Sequence, residues 1–333
     1  MKKMVIILSI LAILIISIIT TGVFLIRPKE EIKTLTTTPT ITQKPWPTNS
    51  PTPQVTKPQK AKRFFKPTFA NNLIIEEKDS PGRSNSIDFW LNSGGQLTLG
   101  NGTAKTIQNE VPQDSYWRRI YKSSNPQDTD EGKHPQNIFR LVTRSLWHNF
   151  EEQVYFKVNA DNPSKSPNRN SSNGLFLFNR YQDGDNLYYT GARVDGEIVV
   201  KKKYKGAYYT LGETKFFPGA YDSEKSPNLL PKNSWIGIKS TVSNVGDSVV
   251  ISVFIDTSSK GEWIKAIEVY DKTPDILKNQ GNGGIRTDFM DVELKDFMIT
   301  ESWKLFSDFV DIRRREIFQR IFSIYNRQIS WNE

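Results

Sequence analysis

The sequence contains no cysteine and only two histidines, His134 and His148, among its 333 residues. The absence of cysteine excludes disulfides, thiolate metal sites, cysteine nucleophiles and lipid attachment at a cysteine. Two histidines argue against a zinc centre built from the usual histidine and cysteine ligands.

Long apolar runs are also scarce, with one exception near the N-terminus. Val5–Ile26 is apolar over 22 residues and follows Lys2 and Lys3. That length crosses a bilayer as a helix. A cleavable signal peptide is the alternative, but it needs a small-x-small cleavage site, and none follows. The sequence favours an uncleaved signal-anchor over residues 1–27, with its lysines inside and the C-terminal part extracellular, as a single-pass protein of the cell membrane.

Residues 28–70 have little to bury and are rich in proline, threonine and basic residues. Their composition predicts an extended linker, and at about 3.1 Å per residue the stretch 34–60 would reach roughly 80 Å. The first 70 residues carry 11 Lys and Arg against 2 Asp and Glu, which accounts for the whole net charge of +9. The remainder has no basic footprint, so we expect no nucleic-acid partner.

From residue 71 to residue 300 the pattern predicts short strands. The segment Ser248–Asp256 has the sequence SVVISVFID, in which alternate β-branched residues fall on one face. Polar turns separate such segments, and no segment has the pattern of a helix. We expect an all-β sandwich with strands at 138–144, 151–159, 174–181, 186–194, 197–203, 207–211, 234–243, 248–256, 262–270 and 290–295.

The succession WIGIKSTV, VVISVFID, EWIKAIEVYD and GNGGIRTDFMDVELKDFMIT resembles the closing strands of a concanavalin A-like, or laminin G-like, jelly roll. IDFW followed by GGQLTL resembles the opening strands, and NLYYTGARVDGEIVVKKK the central hairpin. The resemblance covers about residues 72–300 and implies such a domain on a membrane-anchored prokaryotic surface protein. It implies a glycan-facing protein, although this fold hosts lectins, glucanases, lyases and adhesion modules.

Enzymatic signatures of that fold are incomplete. The paired carboxylates of a retaining glucanase are missing; the nearest match, Asp291 and Glu293, is predicted to be a solvent-facing strand edge. A lyase needs a cation to neutralise a uronate and a tyrosine or histidine base. The residue types are present, without the family's glutamine-histidine motif, at Arg180, Arg193, Tyr188, Tyr189 and His148.

The hairpin around residues 186–194 provides the main candidate for a ligand site. In a regular strand Tyr189 and Arg193 share one face across Gly191, which leaves room for an approaching group, while Tyr188 faces the core. On the next strand, Lys201 and Lys203 share a face. We predict ligand contacts at Arg180, Tyr189, Arg193, Arg286 and Asp288, the plain alternative being a hairpin with solvated charges.

Two acidic loops could bind calcium. Asp183 and Asp185 flank a glycine, and Asp128 begins a second cluster that runs to Glu131. Such D-G segments are first of all turns. We therefore predict no cofactor, with a structural calcium at Asp183 and Asp185 as the alternative.

The segment 301–333 breaks the strand pattern. Its apolar residues recur at helical spacing and predict an amphipathic helix that contacts a protein or lies on a membrane surface. The whole sequence favours a non-catalytic carbohydrate-binding domain that recognises cell-wall or extracellular polysaccharide. The alternatives are a hydrolase or lyase of the same fold and a module for protein adhesion.

Overall fold

A computed structural model describes residues 63–70 and 72–302. Within these residues the chain forms sixteen strands and one α-helix, α1 (Tyr116–Ser124). In chain order the strands are β1 (Phe64–Phe65), β2 (Leu73–Glu76), β3 (Phe89–Ser93), β4 (Gln96–Gly100), β5 (Thr103–Thr106), β6 (Ile138–Trp147), β7 (Phe150–Asp161), β8 (Gly174–Asp183), β9 (Asn186–Arg193), β10 (Glu197–Tyr204), β11 (Ala207–Lys215), β12 (Trp235–Val245), β13 (Ser248–Asp256), β14 (Ile264–Asp271), β15 (Gly281–Asp288) and β16 (Met290–Glu301).

The strands form two antiparallel sheets that pack face to face. The large sheet has the order β14-β13-β12-β7-β16-β5-β4-β2, with β1 also paired to β16. The small sheet has the order β11-β10-β9-β8-β15-β6-β3. The predicted all-β class and sandwich architecture are confirmed.

The core follows from period-two alternation. In β13 the side chains of Val249, Ile251, Val253 and Ile255 are fully buried between the sheets, as the pattern predicts. Each such burial contributes about 1.5–3 kcal/mol. Facing side chains of β8, β9, β10 and β15 complete the same core from the small sheet. Apolar alternation therefore fixes most of the inner face of both sheets.

The helix α1 contradicts the prediction of a region without helices. Its surface is largely polar, and Tyr121 is its one buried residue. The Tyr121 hydroxyl donates to Glu77 at 2.5 Å and accepts from the Gly94 amide at 2.8 Å. The sequence does carry a short helical pattern, because Trp117, Ile120 and Tyr121 lie about one turn apart, but it extends over only nine residues and the prediction overlooked it.

The folded unit begins earlier than the predicted start at residue 71. Phe65, in β1, packs edge-on against Phe89 and Phe297, with ring centroids 5.8 and 6.1 Å away. Phe69 is also buried in the core. These aromatic residues belong to the sandwich, although their neighbours have the composition of the predicted linker 28–70.

The predicted helices at the two ends, residues 1–27 and the tail after residue 302, lie outside the described residues. Among the described residues, no helix is long and apolar enough to cross a membrane.

One carboxyl group of the large sheet crosses the sandwich. Glu152 of β7 is fully buried, and its Oε1 accepts from the Gly284 amide of β15 at 2.7 Å. Its Oε2 accepts from Asn179 Nδ2 of β8 at 3.3 Å. Burial raises the pKa of Glu152 well above its ordinary value, and the Gly284 hydrogen bond offsets only part of this rise.

We expect Glu152→Gln to become increasingly stable relative to the native protein as pH rises. A raised folded-state pKa means that the contribution of Glu152 is fully present below its unfolded pKa, about 4.3, and is lost as pH rises through the folded value. Glutamine resembles the protonated acid and does not titrate. Urea unfolding from about pH 4 to about pH 8 measures this, with Glu151→Gln, on the opposite face of β7, as the control. A pH-independent difference between the native protein and Glu152→Gln would contradict this expectation.

Candidate ligand-binding site

A pocket of about 460 Å³ lies on the outer face of the small sheet, the face turned away from the large sheet. Strands β6, β8, β9, β10, β11 and β15 contribute side chains to it, and two loops, 125–137 and 162–173, border it. It contains three of the predicted site residues, Tyr189, Arg286 and Asp288.

Strand pairing assembles the pocket from distant parts of the chain. Arg286 of β15 lies opposite Arg140 of β6 on one side and Phe176 of β8 on the other. Tyr189 of β9 lies opposite Lys201 of β10. Because paired residues of neighbouring strands point to the same side of a sheet, these five side chains share the outer face.

The floor of the pocket is apolar and aromatic. Tyr189 packs edge-on against Phe176 and Phe178, with ring centroids 6.4 and 5.4 Å away. These rings belong to a buried cluster separate from the main core. Tyr208 of β11 lies 5.9 Å from Tyr189 and is half exposed. Tyr188 points into the core, as predicted.

Gly191 has a different role from the predicted one. A Cβ atom at this position would lie 2.1 Å from the Leu175 carbonyl oxygen of β8. The glycine is therefore required by the close approach of the neighbouring strand and does not make room for a ligand.

Arg286 and Asp288 form the polar centre of the pocket. Arg286 Nε donates to Asp288 Oδ1 at 2.8 Å, and its guanidinium carbon lies 5.4 Å from the centre of the Tyr189 ring. Asp288 is almost fully buried, and its Oδ2 has no hydrogen-bond partner within the described part of the chain. A buried acceptor without a donor is costly, so this oxygen would gain from a donor on a bound group.

The two tyrosines of the pocket differ in acidity. Burial raises the pKa of Tyr189 to about 12, against the opposing effect of Arg286. Burial also acts to raise the pKa of Tyr208, but the positive charges of Arg286 and Lys203 outweigh it and lower this pKa below its ordinary value. Tyr208 is thus the more easily ionised of the two hydroxyls.

Asp128 ties the two bordering loops together. Its Oδ1 accepts from Ser166 Oγ at 2.6 Å and from Asn168 Nδ2 at 3.0 Å, which joins loop 125–137 to loop 162–173. Burial acts to raise the pKa of Asp128, but these two bonds and one from Asn125 outweigh it and lower the pKa. The loops then present the side chains of Asn168, Asn170 and Asn173 to the pocket.

Arg180 and Arg193, the other predicted ligand contacts, do not line the pocket. Arg180 is fully buried, and its guanidinium donates to the backbone carbonyls of His148 and Leu277 and to the side chains of Asn149 and Asn244. Arg193 lies beside the pocket and forms ion pairs with Asp195 and, at 2.9 Å, with Glu213. Both arginines have internal partners in the protein.

The carboxylates of Asp183 and Asp185, the predicted alternative calcium ligands, are engaged by other groups of the same hairpin turn and by Lys203. Asp183 Oδ1 accepts from the Asp185 amide at 2.7 Å and from Asn186 Nδ2 at 2.9 Å. Asp185 forms an ion pair with Lys203 at 2.9 Å. No group of three or more acidic or histidine side chains that could hold a metal ion occurs in residues 63–70 and 72–302. The donor set at this turn does not fit a calcium ion.

Asp291 and Glu293 are not a solvent-facing strand edge, contrary to the prediction. Both are buried. Asp291 accepts hydrogen bonds from Asn109, Gln136 and Asn162. Glu293 forms ion pairs with Lys105 at 3.0 Å and Lys157 at 2.7 Å. These partners lower the pKa of Glu293 against the effect of its burial, which is the opposite of what a general acid requires.

The sequence analysis missed much of the pocket wall. Lys201 could have been found, because a turn centred on Asp195 pairs it with Tyr189. Tyr208 would then follow from a further hairpin across β10 and β11. No signal in the sequence links Arg140 or the asparagine loop to this hairpin, since their pairing is set by distant strands.

Comparisons with known proteins give likenesses of structure only. No protein-family model matches the chain, and no curated protein matches it. The carbohydrate-binding module CBM66 from Bacillus subtilis is 11% identical, with a TM-score of 0.36, and the match covers 64% of this chain and 95% of that one. Winged bean acidic lectin, complexed with methyl-alpha-D-galactose, is 11% identical, with a TM-score of 0.44 and coverage of 72% and 98%.

The exoplasmic/lumenal domain of VIP36, in a form bound to Ca²⁺ and Man2, is 11% identical, with a TM-score of 0.36 and coverage of 64% and 80%. At such values we base no conclusion about the ligand of this chain on the likenesses.

The lowered pKa of Tyr208 predicts a phenol that ionises early in an alkaline titration. Subtracting the ultraviolet titration of Tyr208→Phe from that of the native protein should isolate a component below about pH 10, the ordinary tyrosine value. Lys203 Nζ lies 5.2 Å from the Tyr208 ring, so Lys203→Gln should move this component to higher pH. Tyr209→Phe, on the same strand, is the control for the loss of one exposed tyrosine. A Tyr208 component at or above the ordinary value would refute the assignment.

Proposed function

We propose that this chain is a non-catalytic carbohydrate-binding protein whose ligand occupies the pocket on the outer face of the small sheet. The observation that carries the proposal is the pocket's composition: the rings of Phe176, Tyr189 and Tyr208 lie beside amide, carboxylate and guanidinium groups. Sugars need this combination, because their C–H faces pack on aromatic rings while their hydroxyls require directed hydrogen bonds.

The dimensions and polarity of the pocket support a short stretch of glycan. Its volume of about 460 Å³ lies within the range of about 300–1,000 Å³ common for small-ligand sites. Asp288 Oδ2 is an unsatisfied acceptor suited to a sugar hydroxyl. The amides of Asn168, Asn170 and Asn173 offer donors and acceptors at the rim.

We further propose that the sandwich is a concanavalin A-like jelly roll held outside the cell by the apolar segment 5–26. The two antiparallel sheets, with β15 and β16 central in each, support the first part. The length of the apolar segment, its preceding lysines and the proline-rich residues 28–62 support the second. The ligand would then be a cell-wall or extracellular polysaccharide.

A polysaccharide lyase is the second candidate, and one observation favours it. Tyr208 has a lowered pKa and lies at the pocket close to Arg286. In β-elimination such a tyrosinate would take the proton from C5 of a uronate, the C4–O4 bond would break, and a C4–C5 double bond would form. The leaving O4 would then take the proton from the tyrosine hydroxyl, which regenerates the tyrosinate. A hydrolase has less support, because Asp128, held in its charged form, is unsuited to act as general acid.

Binding to a polysaccharide panel tests the leading function. We expect the full-length protein, in a detergent without sugar headgroups, to bind at least one polysaccharide. Tyr208→Ala should weaken that binding by roughly ten-fold, as expected for loss of an aromatic contact. Tyr209→Ala, on the opposite face of β11, should leave it unchanged.

The same incubations are monitored for unsaturated sugar ends by ultraviolet absorbance. Their release by the native protein, and not by Tyr208→Phe, would favour the lyase. Binding to no polysaccharide, with no product, would refute both glycan functions.

For the proposed anchor, the mature protein should retain its N-terminal residues and stay in the membrane pellet after alkaline carbonate extraction. Replacing Leu14 and Ile15 with lysine places two charges at the centre of the apolar segment, at a cost of about 3 kcal/mol each. This variant should be lost from the pellet. A mature N-terminus near residue 23 would mean that the segment is removed as a signal peptide.

A further inference from the structure

Two cations of the pocket have no partner. Arg140 and Lys201 line it, and within the described residues neither forms a salt bridge or a side-chain hydrogen bond. Arg140 Nε is buried and has no acceptor. Burying a charged donor without an acceptor costs free energy that the protein itself does not recover here.

The neighbouring cations behave differently. Arg286 is paired with Asp288, Arg193 with Asp195 and Glu213, and Lys203 with Asp185. Carboxylates therefore pair with Arg286 inside the pocket and with Arg193 and Lys203 beside it. Arg140 and Lys201 have no such ion pair within the described residues.

The charge of the pocket is unbalanced. Its lining has three cationic side chains and two carboxylates, those of Asp128 and Asp288, which leaves one net positive charge. Arg140 lies close enough to Asp128 to favour the charged form of that carboxyl, but the two form no salt bridge. Asp128 instead accepts three hydrogen bonds from the bordering loops.

The charged form of Lys201 is disfavoured in this arrangement. Burial lowers its pKa below the ordinary value, and the positive charges of Arg193 and Arg286 lower it further, while the carboxylates of Glu213 and Asp195 offset only part of this effect. Lys201 also lies opposite Tyr189, at the aromatic floor. An anion in the pocket would relieve the mutual repulsion of the cations as well as satisfy their donors.

We propose that the pocket selects a sugar residue that carries a carboxylate, as in a uronic acid polymer. Arg140 and Lys201 lie on β6 and β10, four strands apart in the small sheet, so each would bind a carboxylate of a different residue of the sugar chain, while a ring packs on the aromatic floor and a hydroxyl donates to Asp288. The planar fork of an arginine matches a carboxylate. The net positive charge of the lining suits monoanionic groups, and the two carboxylates of the pocket disfavour a dianionic phosphate ester. This inference rests on the proposed glycan function and narrows its ligand class.

Calorimetric titration of the full-length protein tests the selection. The probes are tetrasaccharides of galacturonate, of mannuronate and of alternating glucuronate and N-acetylglucosamine, each paired with its carboxyl-reduced form. A sulfated galactan tetrasaccharide is a further arm. We expect at least one uronate to bind roughly ten-fold or more tightly than its reduced form, since bonds to charged groups are the strong ones.

The variants locate the effect. Lys201→Gln and Arg140→Gln should each weaken uronate binding by roughly ten-fold and leave the weaker binding of the reduced sugar unchanged. Arg140→Lys keeps the charge without the fork and should recover only part of the affinity. Lys205→Gln is the control, because Lys205 is an exposed cation directly after the same strand and outside the pocket lining.

The outcomes are distinguishable. Equal binding of uronate and reduced sugar would overturn the inference and leave the proposed function standing. Tighter binding of the sulfated sugar than of every uronate would overturn the carboxylate assignment. An equal loss in Lys205→Gln would mean that general surface charge, and not the pocket, selects the ligand. Binding of no probe, together with no binding in the polysaccharide panel, would overturn both proposals.

Discussion

The buried carboxyl of Glu152 couples the two sheets at the point on which the pocket depends. It accepts from the Gly284 amide on β15 and from Asn179 on β8, while its own strand belongs to the large sheet. Gly284 lies two residues from Arg286, and the register of β15 shifts just before Gly284. A hydrogen bond inside the sandwich therefore helps to set where a guanidinium lies on its outside, since alternate residues of one strand cannot move independently.

The central strands of the small sheet are buried on both faces. Inward residues such as Leu175 and Leu177 join the main core, and outward residues such as Phe176 and Phe178 form the separate cluster beneath the pocket. This double burial gives the pocket a rigid floor. The same burial lowers the local dielectric constant. A low dielectric constant raises the free-energy cost of an unpaired cation and also strengthens its attraction to a bound anion. Packing elsewhere in the sandwich offsets the free-energy cost of these cations, as the scaffold of a binding site commonly does.

Features set by residues close together in the sequence could be predicted, whereas features set by the pairing of distant strands could not. Strand alternation is local, so the sandwich and the facing of Tyr188 and Tyr189 could be predicted. Arg286 and Asp288 could be named as a pair because only Thr287 separates them in one strand. Arg140 could not be placed, because only the pairing of β6 with β15 brings it there. The helix α1 was missed because its apolar pattern extends over only nine residues, and the burial of Asp291 was missed because its partners come from three loops.

The first strand of the sandwich has a mechanical consequence. Strand β1 is two residues long and pairs with the last residues of β16, so the chain enters the sandwich beside the place where it leaves. Under the proposed anchoring and glycan binding, a pull on the N-terminal side would first load these few hydrogen bonds and the ring of Phe65. Their release would lengthen the tether by several residues while the pairing of β7 with β16 stayed intact. Strand β1 would then detach under tension before the sheets that form the pocket separate.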